Sequence, residues 1–232
     1  MDKKISILEH FEELRARIIK CGIFVILASF CVYAFVPRIL PVIARPAGKL
    51  VFIAPQEAFT AGVMLALWIG LFISLPFIFY QAWRFISSGL KPDERKYTLI
   101  FCPVSLVFFV AGAAFGYLVI MPIGMKFLLG FATEILTPMI SVAKYISFVG
   151  TLVFCFGLVF ELPLAALFLT KIGLVTPQFL SRKRRYAVVL IFIAAAALTP
   201  PDAVTQCLMA IPLLALYETG ILFSKLSYRR NR

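Results

Sequence analysis

Residues 145–169 read YISFVGTLVFCFGLVFELPLAALFL, twenty-five positions in which Glu161 is the one charged side chain. A bilayer's hydrocarbon core, about 30 Å thick, takes roughly 20 apolar residues of helix, so this run is long enough to cross it. Three further runs of similar length precede it, at 18–36, 61–86 and 98–121, the second with Pro76 as a predicted kink.

Composition agrees with these runs. The 232 residues are 62% hydrophobic and 15% charged, with a mean hydropathy of +0.99, whereas soluble domains are about 45–50% apolar. A water-soluble fold of this size has too little interior for so much apolar surface, which makes lipid the solvent for much of it. The length leaves room for one membrane domain over residues 1–232 and no sizeable second one. The first run is too long for the apolar part of a cleaved signal and ends in Val36-Pro37-Arg38 without a small-residue cleavage site, so it is expected to stay as a transmembrane helix.

The last apolar region is split by Thr199-Pro200-Pro201-Asp202 into 186–198 and 204–223. Thirteen residues of helix rise only about 20 Å, short for an ordinary bilayer. Either a lead-in from Thr176-Pro177, an N-cap followed by a first-turn proline, continues into this helix, or the pair forms a re-entrant hairpin. Both versions return the chain to the side it left. The expected fold is an all-α polytopic membrane protein with six spans, preceded by a cytoplasmic amphipathic helix at 1–17.

Orientation follows from basic residues. Of twenty-three lysines and arginines, eighteen fall on one side of this topology and five, Arg38, Arg45, Lys49, Lys126 and Lys144, on the other. The excess marks the cytoplasmic side, which then holds both termini. The net charge of +12 is scattered in short clusters between apolar runs and forms no single stripe, so no nucleic-acid partner is expected. The five cysteines lie inside apolar runs with no CxxC spacing and are expected to be buried thiols.

Ahead of the first span, Ser6-Ile7-Leu8-Glu9 fits a capping box, and Ile7, Phe11, Leu14 and Ile18 recur at helical spacing on one face. Glu9, Glu13 and Arg17 step by four along another ridge, where carboxylates pair locally with Arg15 and Arg17 in the plainest reading. Asp93-Glu94 behind Pro92 is equally well read as compensation of a helix N-terminus. Taken together, the two acidic spots on a basic side offer a different chemistry. Carboxylates held at the rim accept guanidinium groups from a partner peptide in bidentate fashion.

Within the membrane, Glu161 costs on the order of 2.5 kcal/mol or more if it faces lipid, so it is expected to face protein or water. Pro163 beside it removes a backbone donor and leaves the Val159 carbonyl short of its partner. Gln206 reads as helix glue, Glu218 as a residue reaching the interface, and Gly112 with Gly116 as a close-packing pair. Enzyme readings lack parts. His10 is the one histidine, which leaves bis-histidine haem, histidine-based zinc and Ser-His protease sites unsupported, and no glycine-rich nucleotide loop occurs. No catalytic residue, cofactor or metal is expected.

The residues then point to a family. Glu13-Leu14-Arg15-Ala16-Arg17 occurs before the first span, Tyr80-Gln81-Ala82-Trp83-Arg84-Phe85 ends the second, and Glu94-Arg95-Lys96 opens the third. Phe160-Glu161-Leu162-Pro163, Thr199-Pro200-Pro201-Asp202, Gln206, Ala210-Ile211-Pro212 and Tyr217-Glu218 follow in order. This set resembles the TatC family, the core receptor of the twin-arginine protein translocase, over nearly the whole chain. The chain departs from many members at Ser88, where they carry proline, and at Asp93, where they carry histidine.

The resemblance implies a glove-shaped six-helix bundle with two short final helices in the cytoplasmic (inner) membrane of a prokaryote. It implies export of folded proteins bearing twin-arginine signal peptides, driven by the proton-motive force. It further implies TatA- and TatB-type single-span partners and self-association in a complex. By the same resemblance Glu13, Glu94, Arg17 and Phe85 belong to the signal-peptide site, and Glu161 is an intramembrane polar site. Thr199 and Gln206 are where a partner helix docks, while Pro46, Tyr117 and Asp202 fall at positions the family also uses. The alternative is a proton-coupled secondary transporter working through Glu161, against which the lack of an internal repeat and the short last hairpin count.

Overall fold

The computed structural model describes residues 7–133, 138–198 and 203–230. Nearly all of them are helical: α1 (Ile7–Tyr33), α2 (Val36–Ala44), α3 (Glu57–Ser88), α4 (Pro92–Phe115), α5 (Met121–Leu129), α6 (Val142–Lys171), α7 (Pro177–Arg182), α8 (Arg184–Leu198) and α9 (Ala203–Arg230). A short parallel pairing joins β1 (Leu50–Val51) to β2 (Ile140–Ser141). By compactness the chain divides into two units, one of Met1–Ile43 with Ala54–Leu106, the other of Ala44–Ile53 with Val107–Arg232.

In the first unit α1 and α3 lie antiparallel. His10 meets Phe85, Arg17 meets Gln81, Phe24 meets Phe77, and Gly62 lies under Tyr33. Close approach is set at Gly70, where a Cβ would stand 2.8 Å from the Ser29 Cα. Ser29 itself donates back to the Val25 carbonyl at 2.7 Å, the usual way a hydroxyl is satisfied inside a membrane helix. α4 joins through Trp83, whose indole N–H donates to Ser105 Oγ at 3.0 Å in a buried contact, with the Phe101 ring 5.5 Å from the Trp83 ring.

In the second unit α6, α8 and α9 surround an apolar core of Ile120, Leu152, Phe156, Ile191, Ala195, Met209, Ala210 and Leu213. The Gly112–Gly116 pair does what its spacing suggested, since a Cβ on Gly112 would stand 2.5 Å from the Phe156 carbonyl oxygen. α9 reaches α6 at Gly220, whose added Cβ would lie 3.3 Å from Pro163 Cα. Lower down, the Thr170 and Ser224 hydroxyls are 2.6 Å apart and buried.

Several expectations need adjustment. The third apolar run does not end near residue 121; a π-helical turn at Gly116–Ile120 carries α4 into α5, so apolar helix extends from Thr98 to Leu129. The polar lead-in at Thr176-Pro177 does form, with Thr176 Oγ1 accepting from the Phe179 N–H at 3.3 Å, but it is a separate helix that stops at Lys183. α8 is short as expected, 15 residues or about 22 Å. α9, at 28 residues, is not, because its basic end continues the helix beyond the apolar run. Among the described residues five helices are long and apolar enough to cross a membrane, and α8 is a further, shorter apolar helix.

The cysteines also correct the reading. Cys21, Cys102 and Cys155 are half-buried, but Cys31 and Cys207 are exposed. An apolar run reports depth in the bilayer, and a side chain at that depth faces lipid as readily as protein. The same holds for Phe30 and Leu99, both 81% exposed. Ser6 of the capping box lies outside the described residues.

Candidate functional site

Two groups of polar residues stand out, one in each unit. In the first, α1 brings Glu13 and Arg17 one turn apart on the ridge facing α3. Arg17 Nε donates to Glu13 Oε1 at 3.0 Å, its Nη2 donates to the same oxygen, and its Nη1 donates to Gln81 Oε1 at 2.7 Å. The pair is shielded, Arg17 at 14% and Glu13 at 28% exposure. Glu13 lies ahead of the apolar part of α1, and the Arg17 guanidinium holds its carboxyl below the usual carboxylate range against the opposing effect of partial burial. One turn toward the N-terminus the His10 ring stacks on Phe85, centroids 4.3 Å apart.

Local sequence explains this arrangement. Helical spacing of four puts Glu13 and Arg17 side by side, and the same spacing puts Gln81 and Phe85 on one stripe of α3. Antiparallel packing then sets His10 against Phe85 and Arg17 against Gln81. Glu94 lies in the first turn of α4. From Trp83–Ser105, α4 runs back eleven residues, about 16 Å, toward the end of α3 that bears Phe85 and Ser88. Glu13, Arg17, Phe85 and the Glu94 backbone therefore belong to the same end of one unit. His10 and Gln81 are the members that residue-by-residue reading missed. The available signal was Gln81 itself, a polar residue four positions before Phe85 at the end of an apolar run.

Alongside this cluster runs a groove of about 500 Å³ between α1 and α3, with Arg17, Gln81 and Phe85 at one end and Leu14, Val25, Leu71 and Ile78 among its apolar walls. Glu12, one residue from Glu13, is exposed, which fixes the register of the ridge.

In the second unit Glu161 sits on α6, half-buried, with Oε1 fully shielded. Gln206 on α9 donates from Nε2 to the Phe192 carbonyl of α8 at 3.0 Å, which joins the last two helices as helix glue. Glu218 is exposed, and its Oε2 accepts from Arg184 Nη2 at 2.8 Å. Pro46 is half-buried in a tight turn, Arg45–Ala47, closed by Gly48 at φ 75°. Tyr117 is half-buried in the π-helical turn. Thr199 and Asp202 lie outside the described residues. Among the described residues no cluster of histidine, cysteine or carboxylate side chains has metal-binding spacing.

Comparison with known proteins covers the same ground. The family model described as "TatC: Sec-independent protein translocase protein (TatC)" matches residues 9–212. The Sec-independent protein translocase protein TatC of Carboxydothermus hydrogenoformans is 42% identical, over 97% of this chain and 94% of that one. That of Aquifex aeolicus is 37% identical, over 97% and 96%. A crystal structure of the twin-arginine translocase receptor TatC superposes with a TM-score of 0.86 at 37% identity, covering 94% of this chain and 99% of that one. With its ordered motifs, an α-helical membrane fold and a match over most of its length, the chain belongs to the TatC family of Sec-independent protein translocase proteins.

Proposed function

We propose that this protein is the receptor subunit of a twin-arginine translocase, and that it reads the paired arginines of signal peptides at the end of the first unit where Glu13, Phe85 and the start of α4 lie. The observation that carries the reading is the held carboxylate of Glu13. Arg17 occupies only its Oε1, and a carboxylate has about four lone-pair sites, so Glu13 keeps acceptor capacity for an incoming guanidinium. Arg17 is a positioning residue here, fixed in turn by Gln81. Glu94 supplies the second carboxylate. Phe85, backed by His10, offers a flat apolar face beside them, against which a guanidinium plane stacks.

The orientation that goes with this function has both termini in the cytoplasm, as the lysine and arginine distribution requires, in the inner membrane of a prokaryote. Thr199 and Gln206 are then the docking point for the single helices of TatA- and TatB-type partners, and copies of the chain associate within the complex. Glu161 acts in transport after the signal has bound, with Pro46 and Asp202 shaping the opposite face.

The test is binding of a twin-arginine signal peptide to the purified protein and to Glu13→Ala, Glu94→Ala and the double variant, with Glu12→Ala as the exposed control. A hydrogen bond to a charged group contributes about 1.5–3 kcal/mol, so each single change weakens binding by about ten- to a hundredfold. Lysines in place of the peptide's arginines weaken it too, since an ammonium cannot fork across a carboxylate. Equal binding by all four variants overturns the reading.

A further inference from the structure

At the basic end of the second unit, α7 and α9 enclose a pocket of about 520 Å³ lined by Pro177, Gln178, Ser181, Arg182, Lys225 and Tyr228. We propose that this pocket binds a phosphodiester, supplied by the headgroup of an anionic phospholipid of the surrounding membrane.

The chemistry of the lining is one-sided. Two cations, Arg182 and Lys225, enter from different helices, and Gln178, Ser181 and Tyr228 add neutral donors, with no carboxylate in the wall. Neither cation makes an ion pair among the described residues; the acid that α9 does carry nearby, Glu218, is bonded to Arg184. An arginine fork and a lysine point charge converging from two elements suit the several oxygens of a phosphate.

Position in the membrane narrows the source. The pocket stands where α9 leaves its apolar stretch, Met209–Tyr228, next to the end of α6 at Lys171. This is the depth of headgroups. Tyr186, with the Lys183 ammonium 4.8 Å from its ring centre, and Tyr228 are the amphipathic aromatics expected there. Apolar side chains adjoining the pocket's elements are uncovered: Leu174, in the loop between α6 and α7, is 72% exposed, and Leu226, next to Lys225 on α9, is 66% exposed. A ligand lodged between the cations thus has room for acyl chains beside it, which inorganic phosphate lacks and a phospholipid has. Basic pockets between helices at this level favour anionic over zwitterionic headgroups.

The experiment is native mass spectrometry of the full chain released from neutral detergent, titrated with phosphatidylglycerol or phosphatidylcholine, with and without inorganic phosphate. Wild type is expected to hold one phosphatidylglycerol about ten- to thirtyfold more tightly than phosphatidylcholine. The Arg182→Gln/Lys225→Gln variant should lose that preference. Lys49→Gln/Lys126→Gln, equal in charge, exposed and outside the pocket, should keep it, as should the charge-preserving Arg182→Lys/Lys225→Arg. The proposal fails if wild type does not discriminate between the lipids or if Arg182→Gln/Lys225→Gln still does. It fails equally if inorganic phosphate at matched concentration displaces the lipid, which would make this a free-anion site. Because Arg182 and Lys225 are exposed, loss of folding does not enter, and twin-arginine peptide binding by the same variants reads out the other unit independently.

Discussion

Arg17 and Gln81, sixty-four residues apart, are joined by a hydrogen bond of 2.7 Å from Nη1 to Oε1, and this bond ties the polar ridge of α1 to the end of α3. The same guanidinium grips Glu13, so the three side chains form one chain of acceptor, donor and acceptor.

Replacing either Arg17 or Gln81 should therefore act through Glu13. In Gln81→Leu the Nη1 donor loses its partner and Glu13 loses its anchor; twin-arginine peptide binding is expected to fall about tenfold, in line with one hydrogen bond to a charged group. Arg17→Lys keeps the charge but cannot reach both acceptors, and should resemble Gln81→Leu. Unchanged peptide affinity in both variants would show that Glu13 needs no positioning.

The lowered pKa of Glu13 sets a sign for acid. A carboxyl depressed below its ordinary value contributes above that value, about 4.3, and its contribution is lost as pH falls through the lowered one. Peptide affinity should be flat from neutral pH down to about pH 5 and decline only below the ordinary carboxyl value. A decline already centred near pH 6 would assign the titration to a group other than Glu13.

Glu161 separates recognition from transport. Glu161→Ala is expected to bind signal peptide within about twofold of wild type, additive with distant changes, yet to export cargo poorly in cells. Export at the wild-type rate would leave Glu161 a tolerated buried polar residue of α6.

The buried Thr170–Ser224 pair tests how α6 and α9 are held. Thr170 donates to the Ala166 carbonyl at 2.8 Å, which leaves the Ser224 hydroxyl to donate to Thr170. A double-mutant cycle of Thr170→Val and Ser224→Ala, read by unfolding in detergent, should give a coupling of about 0.6 kcal/mol, with roughly 1.7 as the upper bound. Zero coupling would show the contact to be incidental to packing.

Topology is checked by labelling in a background from which the five cysteines are removed. Single cysteines at the exposed positions Lys49 and Ala203 should react from outside intact cells, and those at Lys91 and Gln178 only after permeabilisation. Ala47, though central to its loop, is buried and unsuitable as a probe. The reverse pattern would invert the orientation.

How much was legible in the sequence depended on the range of the physics involved. Span number, the short fifth span and the excess of basic residues on one side are one-dimensional, because lipid thickness counts residues and membrane potential sorts charges loop by loop. Helical periodicity is nearly as local, and it placed Glu13 next to Arg17 and Gly112 next to Gly116 without any tertiary knowledge. What periodicity could not decide is which ridge meets which. The meeting of Arg17 with Gln81, of His10 with Phe85 and of Gln206 with the Phe192 carbonyl depends on the rotation and register of helices tens of residues apart. The same limit explains the cysteines: hydropathy measures how apolar a surrounding is, and lipid and protein interior are equally apolar, so Cys31 and Cys207 read as buried until the packing showed them facing out.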